Sequence, residues 1–400
     1  MLNYKNVYCV IWILVICLYS LGWSSLNSAL VLPLLLFMIV TIGLAFLLGF
    51  TSKPLVPQFL TYRKRVWPTI LIVLGFFADF GYRGSIPMFE VYEGFDPDAK
   101  EDLSVGIPVI HVLVIAFCIY YAMYLSYLIV VSNKRQYIFE YLTLLIMLLL
   151  NGSRGYIGFC ILFLVIVYVN YKTSKKKSHI PLSMIIIALF ACAILVIFIS
   201  VMGNMRYGYK WDDYTYISRI GYFSNYPAWM PKIFMWTYLY ATSPLSNLNL
   251  NIVDSNHITD IYAYISAYWP DMVSKYFYHG PEIPAPLYHV SYLNASTGFL
   301  PFYSSLGVMG MYVMVAIQFI VYAAVRIFLN SLNMLTFFAE NIFSFLVIIT
   351  IFYNPFSATA VCYILFFLII HALILKHKRK KGELVVNCQL PDIRESASIM

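Results

Sequence analysis

Apolar residues in this chain come in blocks, without the three-to-four-residue recurrence of a surface helix or the alternation of a half-buried strand. The blocks occupy positions 7–23, 29–50, 67–80, 109–131, 137–150, 156–171, 181–202, 306–327, 342–352 and 357–375. At 1.5 Å rise per residue, about 20 apolar residues cross a hydrocarbon core of roughly 30 Å. The pattern therefore predicts an all-α polytopic integral membrane protein with about ten transmembrane helices. Lys5 ahead of the first block resembles the start of a signal peptide, but the second block follows almost at once, so an uncleaved first helix is expected. The pair at 137–150 and 156–171 is short, because 14 residues reach only about 21 Å. It is either a tight hairpin in thinned membrane or a re-entrant pair, split by NGSRG at 151–155.

One long stretch breaks the pattern. Positions 201–303 contain no long apolar run and are rich in Tyr, Trp, Asn and Pro. Lipid cannot satisfy irregular backbone, so this stretch must fold on one side of the bilayer. The predicted organisation is helices 1–7 over 1–200, the large loop over 201–303, helices 8–10 over 304–375, and a tail over 376–400.

Composition strengthens the membrane assignment: the 400-residue chain is 62% hydrophobic and 11% charged, with a mean hydropathy of +0.78. Its net charge of +8 would suggest nucleic acid in a soluble protein, but here the charge follows topology. Loops after even-numbered blocks, both termini and Arg326 at the end of the eighth block hold 18 of the 26 Lys and Arg, and the opposite side holds 13 of the 18 acids, counting Asp79 at the end of the third block. The positive-inside rule then places both termini in the cytoplasm and the large loop outside, with no nucleic-acid partner needed. The seven cysteines lie in apolar blocks or the tail without metal-ligand spacing, and the large loop has none, so it is not a disulfide scaffold.

Candidate chemistry clusters around the large loop. Arg154, in NGSRG, sits at or below the outer interface, where burying an arginine costs about 3 kcal/mol. It either faces a cavity or snorkels to headgroups, and its flanking glycines let backbone wrap an anion. Asp79 and Arg83 lie four apart at the outer end of the third block and are expected to pair on one helix face. The DPD triplet at 96–98 has carboxylate spacing, but within an acidic run it reads as a solvated face, so no metal and no cofactor are expected. The loop opens with Arg206, Lys210 and Arg219, where a lipid-linked phosphate would lie. In one continuous helix Arg206 and Arg219 would stand about 220° apart, so they converge only if the chain breaks between them, as Gly208 permits. Asp213 is placed to cap a helix running to Phe223.

Further along, 231–250 reads as a helix lying on the membrane, started by Pro231 and ended before Pro244. The Tyr and Trp content suits sugar faces and the headgroup belt alike. HGPEIPAPLYHV at 279–290 is extended, because its prolines exclude a helix. It presents His279, Glu282 and His289 as proton acceptors.

SYLNASTGFLPFYSSLGVMGMYV at 291–313 resembles the O-antigen polymerases, the oligosaccharide repeat-unit polymerases, in Asn294, Thr297, Gly298, Phe299 and Gly307. GSRG at 152–155, Arg206 after the seventh block and SPLSNL at 243–248 are similar to that family as well. A departure is that none of Arg154, Arg206 and Arg219 is followed by Gly eleven positions later. The resemblance implies a GT-C-like fold in the bacterial inner membrane. It also implies transfer of a glycan from undecaprenyl diphosphate to a sugar hydroxyl of the next lipid-linked repeat unit, alongside membrane lipid and a chain-length regulator protein. Under it, Arg206 and Arg219 bind the diphosphate with Arg154 as a second anchor, Lys210 and Arg83 add positive charge, and Glu282 or His279 is the base, with His289 a further candidate. The alternatives are an O-antigen ligase, which performs the same chemistry on a lipid A core sugar, and a lipid-linked oligosaccharide flippase or transporter. Charge concentrated outside the blocks and the lack of an internal repeat argue against a transporter.

Overall fold

A computed structural model describes residues 3–50, 57, 59–61, 66–90, 106–132, 134–175, 193, 196–205, 207–358, 360–382 and 385–387. The DPD triplet, Lys53, Arg63, Lys64, Arg65, Arg206, most of the seventh block and the end of the tail lie outside them.

Helices coincide with the apolar blocks: α1 (Tyr4–Ser20), α2 (Leu32–Phe50), α3 (Trp67–Arg83), a short α4 (Pro87–Glu90), α5 (Ile110–Ser132), α6 (Tyr137–Leu150) and α7 (Arg154–Lys175). Beyond these come α8 (Val196–Met205), then α9 (Thr215–Ile220), α10 (Phe234–Val253), α11 (Ile261–Ser266), α12 (Asp271–Ser274), α13 (Leu300–Leu332), α14 (Thr336–Ile349) and α15 (Tyr363–Lys380). Among the described residues, four helices are long and apolar enough to cross a membrane: within α2, α5, α7 and α13. The only described strands are β1 (Phe59–Thr61) and β2 (Val385–Asn387), paired antiparallel.

Burial explains which faces of these uniformly apolar helices matter. In α2, Leu34, Phe37, Met38, Thr41 and Ala45 are buried at helical spacing, whereas Leu32, Ile39, Phe46 and Leu47 are exposed. The inward stripe is pinned by Tyr8, whose hydroxyl donates to Thr41 at 3.0 Å. Helix α5 is buried around its whole circumference, including Tyr120, Tyr124 and Tyr127, and packs against α3, α6, α7 and α15. The short pair resolves unequally. Helix α6 keeps the bounds of its apolar block, but α7 continues through Lys172 to 22 residues, about 33 Å long.

Contacts between distant loops sort into two ends. At one, the segment after α1 bonds to the large loop: Ser24 Oγ donates to Gly221 O at 2.5 Å and Ser25 N to Tyr222 O at 3.0 Å. At the other, β1 joins β2 and Arg379 Nη1 donates to Leu332 O at 3.3 Å. The buried Glu340 accepts from Tyr4 N, the first N–H of α1, at 3.0 Å and lies 3.7 Å from Arg326.

Two expectations fail in α10 and α3. Helix α10 runs straight through Pro244 and is buried from Met235 to Ile252. It is a core element packed against α1, α9 and α13, where a membrane-surface helix ending before Pro244 was expected. Burial on every side outweighs the roughly 3 kcal/mol that an interior proline costs. At the end of α3, Asp79 accepts from Ile107 N at 2.8 Å and pairs with His111 Nδ1 at 2.5 Å, while Arg83 Nε donates to Ser85 Oγ at 3.2 Å. The expected Asp79–Arg83 pairing gives way because α5 supplies an imidazole beside the buried carboxylate.

Candidate functional site

Segments up to about two hundred positions apart converge on one cavity of about 1470 Å³. That exceeds the volume of a site for one drug-sized molecule. Gly152, Ser153 and Gly155 contribute from the α6–α7 turn, with Tyr156 and Phe159 from the first turns of α7. Met202, Met205, Gly208 and Tyr209 come from α8 and the bend after it. Ile283 to Pro286 and Tyr288 supply the proline-rich segment, and Asn294 to Thr297 the stretch before α13. Trp269, Asn354 and Ser357 line it as well.

Each wall has a local cause. The α6–α7 turn closes at Gly152 (φ +69°), and Asn151 Nδ2 donates to Ser153 Oγ at 2.7 Å. After α8 the chain breaks at Gly208 (φ +75°), as the sequence allows. The bend is held by stacked rings: Tyr207 lies 4.4 Å from Tyr216 and parallel to Trp236 within 5°, and Tyr209 stacks on Tyr216 at 5.3 Å. Trp236 Nε1 donates to the buried Asn204 Oδ1 at 2.6 Å.

The proline-rich segment is extended, as its sequence predicts, and takes its hydrogen bonds from α10. Asn251 donates to Leu287 O (2.8 Å) and accepts from Leu287 N (3.0 Å), as a neighbouring strand would. Asn247 donates to Leu293 O and Ala295 O, both at 2.7 Å, and accepts from His289 N at 3.2 Å. On the other side of α10, Asn249 grips Ser28, Ala29 and Val31. Sequence reasoning missed these asparagines as anchors, although their spacing in SNLNLN was visible.

The start of α13 completes the wall. A Cβ on Gly298 would lie 2.5 Å from the backbone oxygen of Tyr353, so only glycine permits this approach. Helix α13 is broken at Leu306–Gly307, where Gly307 adopts φ +62°, ψ −155°. The carbonyls of Ser304 and Ser305 near the break accept from Ile258 N and Asp260 N at 2.9 and 3.0 Å.

The candidate residues distribute unevenly around this cavity. Arg154 is the first residue of α7, between the lining residues Ser153 and Gly155; its side chain lies outside the described set. Arg206 also lies outside it, while Met205 and Gly208 on either side line the cavity. Glu282 and His279 are exposed, each adjacent in the chain to a lining residue, Ile283 and Tyr278. His289 is turned into the protein: its Nε2 is buried without a partner, and burial pushes its pKa below the usual imidazole value. Arg219 is exposed on α9 with its guanidinium 5.9 Å over the Tyr216 ring, and is not among the described lining residues.

Lys210 is exposed near Asp213, whose carboxylate is held below its usual pKa first by hydrogen bonds from Thr215 and then by Lys210. Asp213 bonds Thr215 at the start of α9, which ends at Ile220 and not at the expected Phe223, because Gly221 and Tyr222 (φ +44°) turn the chain away. Arg83, at the end of α3, is likewise absent from the described lining.

The described lining is uncharged, made of aromatic, aliphatic and neutral-polar residues. Among the described residues no group of three or more His, Cys, Asp or Glu is placed to hold a metal ion. No family model, curated protein or solved structure matches the chain.

Proposed function

We propose that this helical membrane protein polymerises O-antigen repeat units at the outer face of a bacterial inner membrane, with ten spans and both termini in the cytoplasm. One observation carries the reading: two of the family-like stretches, at 152–155 and 294–297, line a single cavity together with Met205 and Gly208 on either side of Arg206 and with the proline-rich 283–288, while SPLSNL at 243–248 lies in α10 outside the described lining. The sorting of loop contacts into two ends supports the topology, since loops after odd-numbered blocks meet one another, as do the loops after even-numbered blocks and the termini.

In the reaction, the bond between the anomeric carbon of the growing glycan and the diphosphate oxygen breaks, and a bond from that carbon to an acceptor sugar oxygen forms. The bonding pair leaves with undecaprenyl diphosphate, and the acceptor hydroxyl's proton passes to a base. A diphosphate is already a good leaving group, so the site must chiefly stabilise its charge. Arg154 and Arg206 take that role, because guanidinium binds phosphate bidentately and stays charged. Glu282, next to Ile283 at the cavity, is the proposed base, with His279 second.

Deletion of the gene should leave lipopolysaccharide cores capped by a single repeat unit, and alanine at Arg154 or Arg206 should shorten the ladder while the protein is stably made. Bare core with polymer accumulating on undecaprenyl diphosphate would mean ligase. Single units trapped on the cytoplasmic face would mean a flippase.

A further inference from the structure

The described lining of the cavity is uncharged throughout, and at one place it carries an unsatisfied hydroxyl. Thr297 is 2% exposed, and its Oγ1 has no hydrogen-bond partner; the Ser296 hydroxyl beside it also has none. Buried polar groups are nearly always bonded, so a lone hydroxyl against a cavity calls for a partner from outside the chain. Thr297 is tied closely to its surroundings. Gly298 N donates to Thr350 O at 2.7 Å, and a Cβ on Gly298 would lie 3.1 Å from Asn354 Cα. Asn354 Nδ2 in turn donates to Ala267 O at 2.6 Å, two residues before Trp269. Trp269 lines the same cavity, is 49% exposed and meets Phe277 edge-on at 6.4 Å.

We propose that this part of the cavity is a subsite for an uncharged sugar ring of an oligosaccharide, with the ring's apolar face on Trp269 and one of its hydroxyls bonded to Thr297. A pyranose presents an apolar face and a rim of hydroxyls. A tryptophan ring and a set of neutral hydroxyl and amide groups match both, and they carry no positive charge to favour a carboxylated sugar or a phosphate. The inference rests on the polymerase reading and deepens it: the glycan, and not the diphosphate, occupies the part of the cavity at Thr297 and Trp269.

The test uses full-length protein in lipid nanodiscs and two probes: the oligosaccharide released by mild acid from the source cell's lipid-linked pool, and farnesyl diphosphate. Thr297→Val is nearly isosteric and removes an unsatisfied buried group, so thermal stability should hold or rise. Oligosaccharide affinity should nevertheless fall about tenfold, the worth of one good hydrogen bond, with farnesyl diphosphate binding unchanged. Trp269→Leu should lose about tenfold and Trp269→Phe less, whereas Trp229→Leu, at an exposed ring outside the lining, should change nothing.

Wild-type oligosaccharide affinity in Thr297→Val, equal loss of both probes, or no oligosaccharide binding by the wild-type protein would each overturn the subsite. The two readings fail separately. A deletion strain with an intact ladder, with binding still lost in Thr297→Val, removes the polymerase and keeps the subsite. A lost ladder with unaltered variant binding does the reverse.

Discussion

Asn247 and Asn249 sit two residues apart in α10 and do equal work in opposite directions, which makes them a matched pair for perturbation. Asn247 makes three hydrogen bonds to the segment lining the cavity, at His289 N, Leu293 O and Ala295 O. Asn249 also makes three, to Ser28 Oγ, Ala29 O and Val31 N, on the loop after α1. Both are at most 1% exposed. At about 1 kcal/mol per bond, alanine at either position should cost about 3 kcal/mol, somewhat less for Asn247 where water in the cavity can replace a bond. About 3 kcal/mol of local opening raises amide exchange roughly 100-fold.

Hydrogen exchange with mass spectrometry separates the two. In Asn247→Ala the peptide holding the His289 amide should exchange faster and the one holding Val31 should not; Asn249→Ala should show the opposite. Glycan polymerisation should fall sharply only in Asn247→Ala, because only that change frees the segment beside Glu282. If both variants raise exchange equally in both peptides, the asparagines stabilise the fold globally and the clamp is wrong.

Gly298→Ala should lower thermal stability by about 1–3 kcal/mol or abolish folded yield, since its Cβ would meet backbone atoms of Tyr353 and Asn354 that cannot swing aside. Gly43→Ala in α2, with nothing within 4 Å of its Cβ, is the neutral control in the same melting assay. For His289, burial holds the folded pKa below the ordinary 6.5, so the neutral ring's contribution is fully present above pH 6.5 and is lost as pH falls through the folded value. A melting series from pH 8 to 5 should show this loss, and His289→Gln should flatten it. A His289→Gln series with unchanged slope would assign the acid sensitivity to other groups.

Much of the fold was legible because hydropathy blocks are a direct record of solvent. Block 137–150 and helix α6 share both ends, and α2 and α5 start and finish within three residues of their blocks. The extended form of 282–288 followed from Pro281, Pro284 and Pro286, whose rings act locally whatever surrounds them. The candidate site was only partly readable. Asn294 and Thr297 of the family-like stretch line the cavity, whereas Arg83, Lys210 and Arg219, selected on charge near the membrane, are not among its described lining residues, since charge says nothing about which way a helix faces. Asp79 pairs with His111, 32 positions away, where Arg83 at four positions was the nearer choice; local spacing carries no information about a neighbour brought in by another helix.

The chain's own pattern therefore determined the helical, membrane-type architecture, the position of the large polar segment and the places where backbone must bend, since each depends on a residue and its immediate neighbours. Tertiary structure alone decided that α10 continues through Pro244, that its asparagines hold the segments on either side, and that distant segments line one cavity. Those outcomes depend on burial. A proline's missing bond or an asparagine's amide has no fixed value until the surrounding elements remove water and either supply a partner or leave the group without one.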